Sequence, residues 1–74
     1  MISNPILSII IPVYNRAVLL PMTIESIQAQ TITDWECILI DDHSTDDSLA
    51  VMKELQKKDS RIKTFLRPSY LKKG

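Results

Sequence analysis

The sequence predicts an α/β fold of order β-α-β-α-β around a three-stranded parallel sheet, and three observations carry the prediction. Residues 6–13 and 35–40 are short apolar runs rich in β-branched side chains, the signature of buried strands. Each is followed by apolar residues at helical spacing: Leu20, Ile24 and Ile27, then Leu49, Met52 and Leu55. The connections have the length that parallel crossovers need, and right-handed crossovers bring the helices against the sheet.

The first strand, Ile6-Leu7-Ser8-Ile9-Ile10-Ile11-Pro12-Val13, is apolar on both sides of its alternation, so burial on two faces is expected. Pro12 lacks an N–H, and regular pairing should weaken there. Residues 13–16 then form the loop at the strand's C-terminal end. The first helix should begin between residues 18 and 21, with Pro21 tolerated in its first turn because the missing N–H would have no partner there. Residues 30–34 lose the periodicity and carry turn residues.

In the second strand Cys37 and Leu39 share one side and Ile38 and Ile40 the other, again apolar on both. Ser44 or Thr45 can cap the second helix, with Asp46 and Asp47 in its first turn at the positive end of the dipole. Residues 61–66 alternate and read as a third strand, more exposed than the others, as an edge strand would be. Pro68 ends it, and a polar tail runs from 69 to 74. The hydrophobicity of the first strand marks it as central, so a cover is expected on its far flank. Later strands or another molecule would supply it, because an open apolar edge is a pairing hazard.

At 74 residues the chain is one small domain or part of one, with a marginal core. Its only glycine is Gly74, so it lacks the glycines that a Rossmann dinucleotide site or a P-loop requires. Net charge is zero but uneven. Eight of the nine basic residues fall in 53–74, while seven acidic residues fall in 1–52. Only Phe65 and Tyr70 fall among the basic residues, too few for a single-strand stacking platform, so nucleic acid is not an expected partner. The single cysteine, Cys37, excludes an intrachain disulfide and reads as a buried thiol in a reducing compartment. The first residues, with no basic segment ahead of an apolar one, are not expected to be a signal peptide, and no run of apolar residues is long enough for a transmembrane helix. No His/Cys cluster has metal-ligand spacing, and His43 reads as a turn residue.

Two loops remain as the candidate site. The first strand ends in Pro12-Val13-Tyr14-Asn15 and the second in Asp41-Asp42. In a parallel sheet these are neighbours at the carboxyl ends of the strands, where ligands bind. Tyr14 offers a flat face to a base, and a carboxylate accepts base N–H groups or ribose hydroxyls. The pairing fits a nucleoside.

The stretch from Ser8 to Arg16 resembles the opening of the family 2 glycosyltransferases, which have the GT-A fold. The resemblance continues through Leu20, Ser26-Ile27, Gln30-Thr31, Asp34-Trp35-Glu36, Ile40 to Asp46 and Arg61-Ile62. It covers nearly the whole chain, in order. It implies that residues 1–74 form the N-terminal, nucleotide-binding half of a GT-A domain with a Rossmann-like arrangement. The complete enzyme would transfer a sugar from a nucleotide donor, a UDP-sugar in most of the family, to an acceptor hydroxyl. The resemblance sets Tyr14 against uracil, the backbone of Pro12 and Val13 along the base, Asp42 on the uracil N–H and Asp41 beside it, with Asn15 close by.

The resemblance also implies a divalent cation, Mg or Mn, whose Asp-x-Asp ligands do not occur in this sequence. No catalytic residue is assigned, because the family's general base lies further on. The chain is therefore expected to be an inactive fragment on its own. The family usually has Gly at the position of His43, so that turn is expected to need a positive φ. Polysaccharide or cell-wall biosynthesis in the cytoplasm, at the inner face of the membrane with peripheral association, goes with this reading. The alternative is a non-enzymatic α/β interaction module that self-associates through the uncovered first-strand edge. A phosphoacceptor domain of the receiver type fits less well, since its acidic pair would follow the first strand.

Overall fold

The computed structural model describes residues 7–68. The elements are β1 (Leu7–Val13), α1 (Leu20–Gln28), β2 (Trp35–Asp41), α2 (Ser48–Lys58) and β3 (Ile62–Leu66). The strands are parallel in the order β1-β2-β3, with β2 central. Ile6 and the tail expected at 69–74, with Lys72 and Lys73, lie outside the described residues.

Both crossovers step in the same direction across the sheet, so both helices cover the same face. The core shows this directly. Trp35, Cys37 and Leu39 of β2 are buried together with Leu20, Ile24 and Ile27 of α1, Met52 of α2, Val13 and Ile62. Leu49, Val51 and Leu55 pack around them. The helix-facing set of β2 is its odd-numbered residues, which follows from the period-2 alternation of a strand. Burial in this core pushes the Cys37 thiol up to about 11, with a smaller push from the nearby Asp59 carboxylate.

The expectation of burial on both faces is corrected. β1 lies at the sheet edge among the described residues, and the face away from the helices is open. Ile10 is 63% exposed and Phe65 54%, while Ile38 and Ile40 are half-buried. The reason is topological. A run of apolar residues records that both faces avoid water in the final assembly, but two same-direction crossovers can cover only one.

Pro12 does not disturb the pairing, which runs unbroken through Pro12↔Ile40 to Val13↔Asp41. The Leu7 N–H donates to the Asp34 carbonyl at 3.3 Å, and the Val13 carbonyl accepts from the Asp42 N–H at 2.8 Å. Polar groups of the odd residues in β1 therefore face β2. Those of the even residues face the free flank, where a missing N–H at Pro12 costs no ladder bond.

The start of α2 also departs from the expected capping. Its N-cap is Asp47, without a side-chain capping bond, and Ser44 and Thr45 lie upstream of the helix. Asp46 and Asp47 precede the first turn instead of occupying it. Asp46 Oδ1 accepts from the Ser48 N–H at 2.9 Å, so the first helical turn is satisfied from just outside. α1 begins at Leu20 with Pro21 in its first turn, as its sequence requires.

At the opposite end of the sheet, Asp59 and Arg61 clamp the elements together. The Asp59 carboxylate accepts from Arg61 N–H and Nε at 3.0 Å, Nη2 at 2.8 Å, and Gln28 Nε2 at 3.0 Å. The Arg61 guanidinium lies 3.8 Å from the centroid of the Trp35 ring and donates to the Thr33 carbonyl. The Arg61 side-chain bonds and the Gln28 amide hold the Asp59 carboxyl down at about 2.

Candidate functional site

The β1–α1 and β2–α2 loops meet at the C-terminal edge of the sheet because β1 and β2 pair in parallel, Val13 opposite Asp41. Asp42 N–H to the Val13 carbonyl is the last bond that ties the chains together before they diverge. Beyond it, side chains stitch the loops. Asn15 Oδ1 accepts from Thr45 N–H at 2.8 Å, Asp46 N–H at 3.2 Å and the Thr45 hydroxyl at 3.3 Å. In the other direction, the Asn15 N–H donates to Ser44 Oγ at 3.0 Å and the Arg16 N–H to Ser48 Oγ at 2.7 Å. The Ala17 N–H donates to Asp46 Oδ2 at 3.2 Å.

Two residues of this frame have left-handed backbone: Asn15 at φ 51° and His43 at φ 58°. Asn tolerates that region through its short polar side chain; His does so at a cost. The turn at His43 thus has the positive φ that its sequence context implied.

The two adjacent carboxylates are in different situations. Successive strand residues point to opposite faces, so Asp41 turns toward the helices and Asp42 toward the open side. Asp41 is only 2% exposed. Its Oδ2 accepts from the Ser44 N–H at 3.0 Å and its Oδ1 from the Ser44 hydroxyl. That hydroxyl in turn accepts from Asn15, so Asp41 anchors both loops from inside. Asp42 is 31% exposed along its side chain, and its Oδ2 lies 3.5 Å from Arg67 Nη1. Asp42 Oδ1 and His43 Nε2 are enclosed and have no hydrogen-bond partner among the described residues. Unpaired enclosed acceptors cost free energy that a ligand donor would recover.

Tyr14 is 49% exposed, one residue beyond the strand end. The Arg16 guanidinium folds back onto the loop, donating to the Tyr14 carbonyl at 3.0 Å and the Asn15 carbonyl at 3.1 Å. Pro12 and Val13 line a cleft of about 200 Å³ between β1 and α1, together with Arg16, Leu19 and Thr23. This cleft is smaller than typical small-molecule pockets, and neither Tyr14 nor Asp42 lines it. The structure therefore brings Tyr14 and Asp42 to one edge as accessible groups. It commits the side chains of Asn15 and Asp41 to loop geometry.

Sequence reasoning missed Ser44, Ser48 and Arg67. Ser44 had a faint signal in its i+3 spacing from Asp41, the spacing of a local side-chain-to-backbone turn. Ser48 and Arg67 had none, since their partners Arg16 and Asp42 are far away in sequence. The Ser48 hydroxyl, with the backbone N–H groups of Ser48 and Ala17, holds the Asp46 carboxyl below the usual carboxylate range. As to a metal ion, no three His, Cys, Asp or Glu side chains come together as a ligand set among the described residues. Asp41 and Asp46 are occupied by hydroxyl and N–H donors, and Asp42 faces a guanidinium. These carboxylates do not fit a cation centre.

Comparison with known proteins gives a consistent result. The profile described as Glycosyl transferase family 2 matches residues 8–74. A GalNAc(5)-diNAcBac-PP-undecaprenol beta-1,3-glucosyltransferase of Campylobacter jejuni is 52% identical over 66 residues, covering 89% of this chain and 21% of that protein. A chondroitin synthase of Escherichia coli is 41% identical over 59 residues, 80% of this chain and 9% of that one. The chain thus spans about a fifth or less of these two relatives. Among solved structures, the mannosyltransferase PcManGT of Pyrobaculum calidifontis, in complex with GDP-Man and Mn2+, superposes with a TM-score of 0.74. That match has 22% identity and covers 97% of this chain and 21% of the other, so it speaks for the fold, the N-terminal part of a GT-A glycosyltransferase. With a family profile matched over nearly its whole length, the chain belongs to glycosyltransferase family 2.

Proposed function

We propose that this chain is the nucleoside-binding part of a glycosyltransferase that moves a sugar from a nucleotide donor, a UDP-sugar, to an acceptor hydroxyl. The observation that carries the reading is the placement of an exposed Tyr14 and a partly exposed Asp42 at one sheet edge, with one Asp42 oxygen lacking a hydrogen-bond partner among the described residues. In this reading Tyr14 packs against the base and the backbone of Pro12 and Val13 borders it. Asp42 accepts the uracil N–H. Asn15 and Asp41 act from behind, fixing the loops that carry Tyr14 and Asp42.

The complete protein would use a divalent cation, Mg or Mn, to offset charge on the leaving diphosphate, and a carboxylate to deprotonate the acceptor. Neither role falls to a residue described here. The manganese and GDP-mannose of the structural neighbour support a cation and a nucleotide sugar in the family. The undecaprenol-linked glycan in the name of the Campylobacter relative supports glycan assembly at a membrane, and in this reading the chain works at its cytoplasmic face. No helix among the described residues is long and apolar enough to cross one. The experiment is a titration of the isotope-labelled chain with UDP, followed by NMR. Shifts confined to Tyr14, Asp42 and their neighbours are expected; unchanged spectra at millimolar UDP refute the reading.

A second reading has its own support. The exposed Ile10 and Phe65 on the open face, and the free flank of β1, suit cover by another copy of the chain. Analytical sedimentation decides it: a monomer at all accessible concentrations rules out self-association.

A further inference from the structure

Asp42 does not stand alone at the sheet edge. Arg67 follows β3, and its backbone N–H donates to the Asp41 carbonyl at 2.9 Å, which fixes the main chain beside the site. Its guanidinium lies 3.5 Å from Asp42 Oδ2, with the Arg67 side chain 36% exposed. An acceptor and a planar fork of donors therefore sit side by side, on side chains that are each about one-third exposed. Their complement is a base edge that carries an N–H next to a carbonyl.

Uracil fits this edge in either orientation, because its ring N–H is flanked by a carbonyl on both sides. Cytosine does not. Its ring nitrogen at that position is an acceptor, which would face the carboxylate, and an amine replaces one carbonyl. Building on the nucleotide-site reading above, we propose that Arg67 is a specificity-determining residue. Asp42 accepts the ring N–H of uracil while Arg67 donates to the adjoining carbonyl, and together they discriminate uridine from cytidine nucleotides. An Arg67 that lost this contact would leave a site that still holds ribose and phosphate but reads the base poorly.

UDP and CDP share ribose and diphosphate, so the ratio of their affinities isolates the base. We would titrate wild type, Arg67→Gln and Arg67→Lys with both nucleotides, following Tyr14 and Asp42 by NMR. Wild type should prefer UDP. In Arg67→Gln the UDP affinity should fall about ten-fold, while CDP stays within about two-fold. Arg67→Lys keeps the charge without the fork and should fall between. The anchoring bond uses backbone atoms, so both variants should retain the wild-type spectral dispersion. Equal weakening of UDP and CDP would assign the guanidinium to the phosphates and overturn the proposal, as would an unchanged UDP-to-CDP ratio in Arg67→Gln. Absence of any UDP response in wild type would remove the nucleotide reading itself. A normal wild-type response with an unchanged ratio in the variant removes only the role of Arg67.

Discussion

Replacing Asp41 and Asp42 separately should give opposite phenotypes, although the two residues are adjacent and chemically identical. Asp41→Ala removes a carboxylate that is 2% exposed and accepts from both the N–H and the hydroxyl of Ser44. Bonds to a charged acceptor contribute about 1.5–3 kcal/mol each, and the Ser44 hydroxyl can re-aim toward another acceptor. The net loss is then about 2–4 kcal/mol. A chain of this size has a total stability on the order of 4–10 kcal/mol, so the loss is large. Asp42→Ala removes one ion pair at 3.5 Å whose two side chains are each about one-third exposed. After solvent screening that pair is worth about 0–1 kcal/mol. Its enclosed Oδ1, without a partner among the described residues, disappears at the same time, which offsets part of the loss.

Urea unfolding monitored by the single tryptophan, Trp35, which is buried, reads both variants. With a urea slope on the order of 1 kcal/mol/M, the Asp41→Ala midpoint should fall by about 2–4 M and that of Asp42→Ala by less than about 1 M. If Asp41→Ala leaves no folded baseline, Asp41→Asn retains one acceptor oxygen and should lose about half as much. UDP titration completes the contrast: Asp42→Ala should stay folded and lose the nucleotide. Equal midpoint shifts for the two alanine variants, or an Asp41→Asn protein as stable as wild type, would refute the assignment of Asp41 to loop anchoring.

Two further outcomes follow from the same frame. His43→Gly should raise stability by about 0.5–1 kcal/mol in the urea assay, because glycine adopts φ 58° without the steric cost. Asn15→Gly should lower it by about 1–2 kcal/mol despite an equally favourable backbone, because Asn15 Oδ1 would no longer hold the Thr45 and Asp46 N–H groups. Asp59 sets the acid limb of the stability profile. Its folded pKa is depressed to about 2, so its contribution is fully present above the unfolded value near 4 and is lost as pH falls toward 2. With Arg61 partly solvated, that contribution is on the order of 1–2 kcal/mol, and Asp59→Asn should flatten the decline in stability between pH 4 and pH 2.

Local rules account for the elements and for half of the site. β-Branched apolar runs and the period of Leu20, Ile24 and Ile27 suffice for strands and a helix, and a parallel order puts Tyr14 and Asp42 at one edge without any coordinates. The same rules overestimated the cover on β1. Apolar residues on both faces state what the residue avoids, not which element shields it, and Ile10 is open because both crossovers pass over one face. They also misplaced the cap of α2, since Ser44 and Thr45 had competing partners in a loop far away in sequence.

The sequence alone determined the order β-α-β-α-β, the family, and the two loops that meet at the sheet edge, because each rests on short-range periodicity or on motif spacing. Only the tertiary structure decided that Asp41 is enclosed as a loop anchor while Asp42 turns to the open side. Strand alternation makes Asp41 and Asp42 point oppositely, but the positions of the helices determine which direction is inside. It also decided that Arg67 stands beside Asp42, a consequence of β3 pairing with β2 across 25 residues of intervening chain between Asp41 and Arg67. Contacts of that span leave no trace in local composition, because the pairing that creates them is a property of the whole sheet.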